Sequence, residues 1–170
     1  LMRTHRLITP AEYGRLAGRP PHLVAPKNST NDRQRLSGLL TEAPQLQHFI
    51  TEAGFADAAM MGECGFLISL ANTNLALGHA YFEAGRRRDQ AFLAQVQREA
   101  GEIVASMKAL VDREAHMDGA FDKMFARVNV PGFPLRLLPP YGGVSEATFA
   151  QFTRLLADKY ELLSLLVPRH

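Results

Sequence analysis

Lysine is the side chain whose distribution stands out. Of 19 basic residues only four are lysines, and Lys27 is the sole lysine before Lys108. Arginine fills the other basic positions, and with a pKa above ~12 it cannot act as an amine nucleophile. A lysine at the C-terminal end of a parallel strand, walled by apolar residues, has its ammonium disfavoured by desolvation. Its neutral amine can then attack a carbonyl and form a Schiff base. The competing reading is a strand-ending lysine that reaches out to water. Thr51 and Ser69 follow apolar runs in the same way. His5, His22, His48, His79, His116 and His170 show no ligand spacing with a carboxylate or cysteine and read as surface or interface residues. Cys64 is the only cysteine, which excludes an intrachain disulfide framework. Arg86-Arg87-Arg88, between Gly85 and Asp89, reads as a solvated turn.

The elements that must position these groups follow from caps and periodicity. Thr9, Pro10 and Glu12 supply an N-cap, a first-turn proline and an early carboxylate, so a short helix is predicted over Pro10 to Leu16. His22 to Ala25 is an apolar run ended by Pro26-Lys27 and predicts a first strand. Asp32 opens a helix through Leu36, Leu39 and Leu40. Gln45 to Ile50 is a second extended run, Phe55 to Met61 a helix, and Gly65 to Ser69 a third strand, with Asn72 as the next cap. Three strand-helix alternations predict a parallel sheet whose active groups sit at the C-terminal strand ends. The rest reads as helical. A helix from Asn74 ends at Gly85, and a long one carries Phe92, Val96, Ala100, Ile103, Met107 and Leu110 as a 3.6-residue stripe. A helix over Gly119 to Val128, a proline-rich loop from Pro131 to Gly143 and a last helix from Ser145 complete the chain.

Composition bounds the rest. With 170 residues, 46% hydrophobic and 21% charged, the chain has ordinary globular composition and one domain's worth of length. No apolar run approaches the ~18 residues of a membrane span. A net charge of +2 gives no electrostatic footprint for nucleic acid or a membrane surface. Leu1 to Arg6 does not read as a secretory signal, so the cytoplasm is the expected compartment. Leu1 is not an initiator methionine, which makes a piece of a longer protein the expectation.

Several segments carry a resemblance. His22-Leu23-Val24-Ala25-Pro26-Lys27-Asn28-Ser29-Thr30-Asn31-Asp32 resembles the Schiff-base strand of the dihydrodipicolinate synthase and N-acetylneuraminate lyase family. Arg3-Thr4 with Leu7 to Glu12 resembles the segment after that family's fifth strand, and Gly62 to Asn72 resembles its eighth. Asp118 to Lys123 and Pro134 to Tyr141 resemble its C-terminal helices and proline loop. The implied fold is an α/β (β/α)8 TIM barrel of the class I aldolase type. This chain would supply its last three βα units over 1-85 and a C-terminal helical region over 86-170. A complete barrel needs about 250 residues and eight strands. The family's catalytic tyrosine would fall just before Leu1.

The resemblance implies a lyase, an aldolase or dehydratase, in which Lys27 condenses with pyruvate or another 2-keto acid, and an aldehyde is the second substrate. It implies no cofactor beyond the covalent imine, no metal, and a homo-oligomer, dimer or tetramer. It places Arg3 on a substrate carboxylate, Ser29 and Ser69 on substrate oxygens, Glu52 in the loop after the seventh strand, and the Leu67 backbone carbonyl opposite the lysine. Synthases of lysine biosynthesis usually carry an acidic residue after the lysine and glycine-aspartate-aspartate at the seventh strand. Here stand Asn28 and Ile50-Thr51-Glu52. A sugar-acid or aromatic 2-keto-acid lyase therefore ranks above dihydrodipicolinate synthase itself or a catalytically silent keto-acid-binding relative. An apolar face on the Phe92 helix would suit subunit contacts.

Overall fold

The computed structural model describes residues 6–19, 22–111, 114 and 118–159. Among them are α1 (Pro10–Leu16), β1 (Lys27–Asn28), α2 (Arg33–Glu42), β2 (Phe49–Ile50), α3 (Phe55–Met61), β3 (Gly65–Phe66), a 3-10 turn (Leu70–Asn72), α4 (Leu75–Arg87), α5 (Gln90–Val111), α6 (Asp118–Asn129) and α7 (Glu146–Lys159). The three strands form one parallel sheet in the order β1-β2-β3, with Lys27 level with Phe49 and Phe49 level with Gly65.

The chain divides into two compact units, one of Leu1–Leu67 with Phe82–Leu93 and one of Ile68–Tyr81 with Ala94–His170.

In the first unit the caps act as the sequence predicts. Thr9 Oγ1 accepts from Glu12 N at 3.2 Å, and Thr9 N donates to Glu12 Oε2 at 2.8 Å, which starts α1 at Pro10. Asp32 Oδ1 accepts from Gln34 N and Arg35 N at 2.9 and 3.2 Å and starts α2. The strands are shorter than expected. His22 to Ala25 is not regular strand, although Gln47 N donates to Val24 O and Phe49 N to Pro26 O, both at 2.9 Å. Pro26 has no N–H to return, so the ladder becomes two-sided only after it, and Lys27 lies inside β1 rather than past its end. At the other edge Gly65 N donates to His48 O at 2.8 Å and Leu67 N to Ile50 O at 3.0 Å, but β3 closes at Phe66, short of Ser69.

Alternation along the strands sorts the side chains. Asn28, His48 and Ile50 are buried on the face that the helices cover. Phe66 on the same face stacks on Phe55 of α3, their ring centroids 4.4 Å apart. Lys27, Phe49, Gly65 and Leu67 occupy the opposite face, where Lys27 and Leu67 are exposed.

Two helix boundaries differ from expectation. Asn74, not Asn72, caps α4 through Oδ1 to Leu77 N at 2.9 Å, because Leu70–Asn72 is spent on the 3-10 turn. Gly85 does not end α4, which runs on to Arg87, so Arg86 and Arg87 are helical and Arg88, at φ 56°, makes the left-handed exit. The glycine serves packing, since a Cβ there would stand 2.7 Å from Phe55 Cζ.

In the second unit the core includes Val96, Ala100, Ile103 and Met107 of α5, Met124 and Phe125 of α6 and Phe152 of α7. The α5 stripe expected to suit subunit contacts is buried in this unit, with Val111 completing it and Leu110 only half-buried, while Leu93, buried, and Phe92, half-buried, belong to the first unit. Phe125 meets Phe152 edge to face at 5.9 Å. Glu114 tethers the start of α7. Its carboxylate accepts from Ser145 N at 2.8 Å, Ser145 Oγ at 3.0 Å and Thr148 Oγ1 at 2.8 Å. The Ser145 backbone bond, then the Thr148 hydroxyl, hold the Glu114 carboxyl below its usual value.

Two outcomes are expected. A Cβ on Gly54 would lie 2.0 Å from the backbone oxygen of Thr30, so Gly54→Ala should cost about 3 kcal/mol in denaturant unfolding, the upper range for overpacking. For Glu114 the folded carboxyl is the stronger acid, so its contribution is present above the unfolded value and lost as pH falls through the folded one. Glu114→Gln should accordingly shrink the fall in melting temperature between about pH 6 and about pH 3.

Candidate functional site

Each site residue inherits its place from the strand that carries it. Lys27 projects from the open face of the sheet, one position before Asn28, whose side chain is buried on the other face. Beside it the Phe49 ring lies over Gly65, where a Cβ would come within 2.7 Å of ring carbons. Leu67 continues this face, 41% exposed, and spends its N–H on Ile50 O, two strands from Lys27. Ser29 is exposed directly after β1. Thr30 Oγ1 then accepts from Asp32 N at 3.2 Å, folding the turn that leads to α2. Glu52 is half-buried after β2, where Thr51 O accepts from Gly54 N and Phe55 N at 3.1 Å and starts α3.

The first unit thus brings Lys27, Ser29, Glu52 and Leu67 onto one small sheet and its following turns. Ser69 belongs to the second unit, and Arg3 lies outside the described residues. Lys27 is exposed among the described residues.

His48 is the residue that the sequence reading misplaced. It is buried to 2% exposure, not on the surface. Its Nε2 lies 3.0 Å from Ala43 O and its Nδ1 3.4 Å from Asn28 Nδ2, while Tyr13 meets the ring edge to face at 6.2 Å. A carbonyl oxygen only accepts, so Nε2 carries the proton, and the bare Nδ1 accepts from the Asn28 amide. The signal was present in the sequence: Leu46, His48 and Ile50 alternate on one face, and both apolar neighbours are buried.

A second feature of the first unit is a cleft of about 620 Å³ on the N-terminal side of β2 and β3, lined among others by Gln47, Phe49, Cys64, Phe82, Arg86 and Arg88. Burial pushes the Cys64 thiol up to about 11. At neutral pH it is therefore protonated and a poor nucleophile.

No family model matches the chain, and no curated protein sequence matches it. Solved structures do. YagE, a prophage protein belonging to the dihydrodipicolinic acid synthase family from E. coli K12, in complex with pyruvate, matches with a TM-score of 0.69 and 19% identity over 93% of this chain and 52% of its own. A protein from Coccidioides immitis described under the dihydrodipicolinate synthase family matches with a TM-score of 0.70 and 16% identity over 96% of this chain and 54% of its own. The likeness shows the fold: the chain has the fold of part of a TIM barrel, and it spans about half the length of the structures it matches.

One outcome tests the thiol. The rate of Cys64 alkylation by iodoacetamide should keep rising with pH past the ordinary thiol value, with a midpoint near 11. A plateau near the ordinary thiol value would contradict burial of the sulfur.

Proposed function

We propose that this chain carries the Schiff-base lysine of a lyase acting on pyruvate or a related 2-keto acid. The observation that carries the reading is the position of Lys27, exposed on the open face of a parallel sheet opposite the helices. It is supported by a fold shared with half of a barrel that was solved with pyruvate bound. The amine of Lys27 adds to the ketone carbon, water leaves, and an imine forms. Once protonated, the imine draws electrons from the neighbouring carbon, so a carbon-carbon bond there can break or form, or a leaving group can depart.

The open face is where further strands of a closed barrel would cover the lysine and supply the desolvation that favours its neutral amine. Ser29 and Leu67 flank that face, Glu52 lies in the turn after β2, and Ser69 and Arg3 are assigned to substrate oxygens and carboxylate by the resemblance alone. Asn28 after the lysine and Ile50-Thr51-Glu52 at the end of the second strand favour a sugar-acid or aromatic keto-acid substrate over the synthase of lysine biosynthesis. We further propose that the active species is a homo-oligomer.

Borohydride trapping tests the reading. With pyruvate present, hydride reduces the imine carbon, a solvent proton reaches nitrogen, and a stable secondary amine is left on the peptide containing Lys27. Lys27→Arg should give no adduct, since the guanidinium keeps its proton. A protein that yields no adduct at Lys27 with pyruvate or other 2-keto acids is not a Schiff-base lyase, and a keto-acid-binding relative becomes the better account.

A further inference from the structure

We infer that the buried Asn28–His48 pair is the device that directs Lys27 to the open face of the sheet, an inference that rests on the proposed role of Lys27. β1 has two regular residues and its ladder is one-sided up to Pro26, so its register rests on a few backbone bonds, Gln47 N to Val24 O, Phe49 N to Pro26 O and Thr51 N to Asn28 O, together with its side chains. Side chains repeat every second residue, and a slip of one position would turn Lys27 in under the helices and Asn28 out. Pro26, buried on the same face as Asn28, favours the observed register as well, but between Lys27 and Asn28 themselves apolar burial does not decide, because neither is apolar.

The Asn28–His48 contact, 3.4 Å from Nδ2 to Nδ1, decides between them. Asn28 is 5% exposed, and its amide reaches the bare Nδ1 of His48, itself anchored through Nε2–H to Ala43 O at the C-cap of α2. His48 O also accepts from Gly65 N of β3 at 2.8 Å, so the residue that receives Asn28 is held from three sides. A lysine at that position would set an ammonium against an imidazole already committed to a carbonyl, with no acceptor free for its remaining protons. One buried polar pair thus excludes the slipped register, as a single buried asparagine fixes the register of a coiled coil. Asn28 and His48 are positioning residues, not groups that touch substrate.

The test uses the purified protein with pyruvate and timed borohydride quenching, reading adduct on the Lys27 peptide. Asn28→Leu should slow trapping at saturating pyruvate at least tenfold while the half-saturating concentration changes less than threefold. His48→Asn places an amide oxygen where Nδ1 stood and should keep trapping within threefold of the parent. His48→Gln reaches Ala43 O but not Asn28 and should fall as far as Asn28→Leu. A merely structural role predicts equal losses in the two His48 variants, and that result, or Asn28→Leu trapping within twofold of the parent, overturns the proposal.

Two readouts need no keto acid. Nitrogen-15 NMR should find the His48 ring proton on Nε2, and a proton on Nδ1 overturns the proposal. Acylation of Lys27 by a water-soluble ester should be rapid in the parent and at least fivefold slower in Asn28→Leu, and equal rates overturn it. If the parent gives no adduct, the lyase reading fails while these two measurements still decide what the pair does.

Discussion

The first unit is organised around one imidazole. His48 is the point where α1, the end of α2, β1 and β3 meet: Tyr13 on its edge, Ala43 O on Nε2, Asn28 on Nδ1 and Gly65 N on its backbone oxygen. Strands of two residues cannot be held by ladder bonds alone, each worth about 1 kcal/mol net. A buried polar group left without partners costs about 1–3 kcal/mol, so the satisfied ring penalises every arrangement that separates these elements. The sheet can be short because its members are joined through a side chain as well as through backbone.

From that anchoring the two faces of the sheet acquire different characters. The face with His48 carries Asn28, Ile50 and Phe66 against the helices, with Leu36, Leu39 and Phe55 among the fully buried core. On the face with Lys27, both Lys27 and Leu67 are exposed among the described residues, and the Phe49 ring lies over Gly65. Close approaches without side chains hold the geometry. Gly54 lies against Thr30 O and Gly85 against Phe55, so turns and helix packing converge on the segments bearing Lys27 and Glu52. The second unit keeps its own apolar core and its own polar fastening, with Glu114 gripping the first turn of α7 and Asn129 donating to Asn72 O and Thr73 O.

Local signals proved readable where a single side chain satisfies a backbone group within one helical turn. Thr9 with Glu12, Asp32 and Ser145 cap the helices that they announce, and α1 and α3 have the bounds that composition predicts. Signals that depend on distant partners were not readable. Asn72 and Asn74 are both good caps on paper, and only the 3-10 turn before α4 selects Asn74. Gly85 resembles a helix stop until Phe55, thirty positions back in the chain, is seen to occupy the space of its Cβ. The α5 stripe is amphipathic by sequence whether its cover is a partner subunit or its own chain.

What the sequence by itself determined is therefore the alternation of strands and helices, the parallel sense of the sheet, and the choice of Lys27 as the amine that stands apart. All three follow from residue types and spacings that act over a few positions. Tertiary structure alone decided that Lys27 is exposed, that His48 is buried with a defined tautomer, and that Ser69 belongs to the second unit while Leu67 continues the ladder. These depend on which distant groups arrive beside each residue. A carbonyl from the end of α2 assigns the proton on His48, and the open side of a three-stranded sheet leaves the lysine uncovered, and neither is written in the residues that immediately surround them.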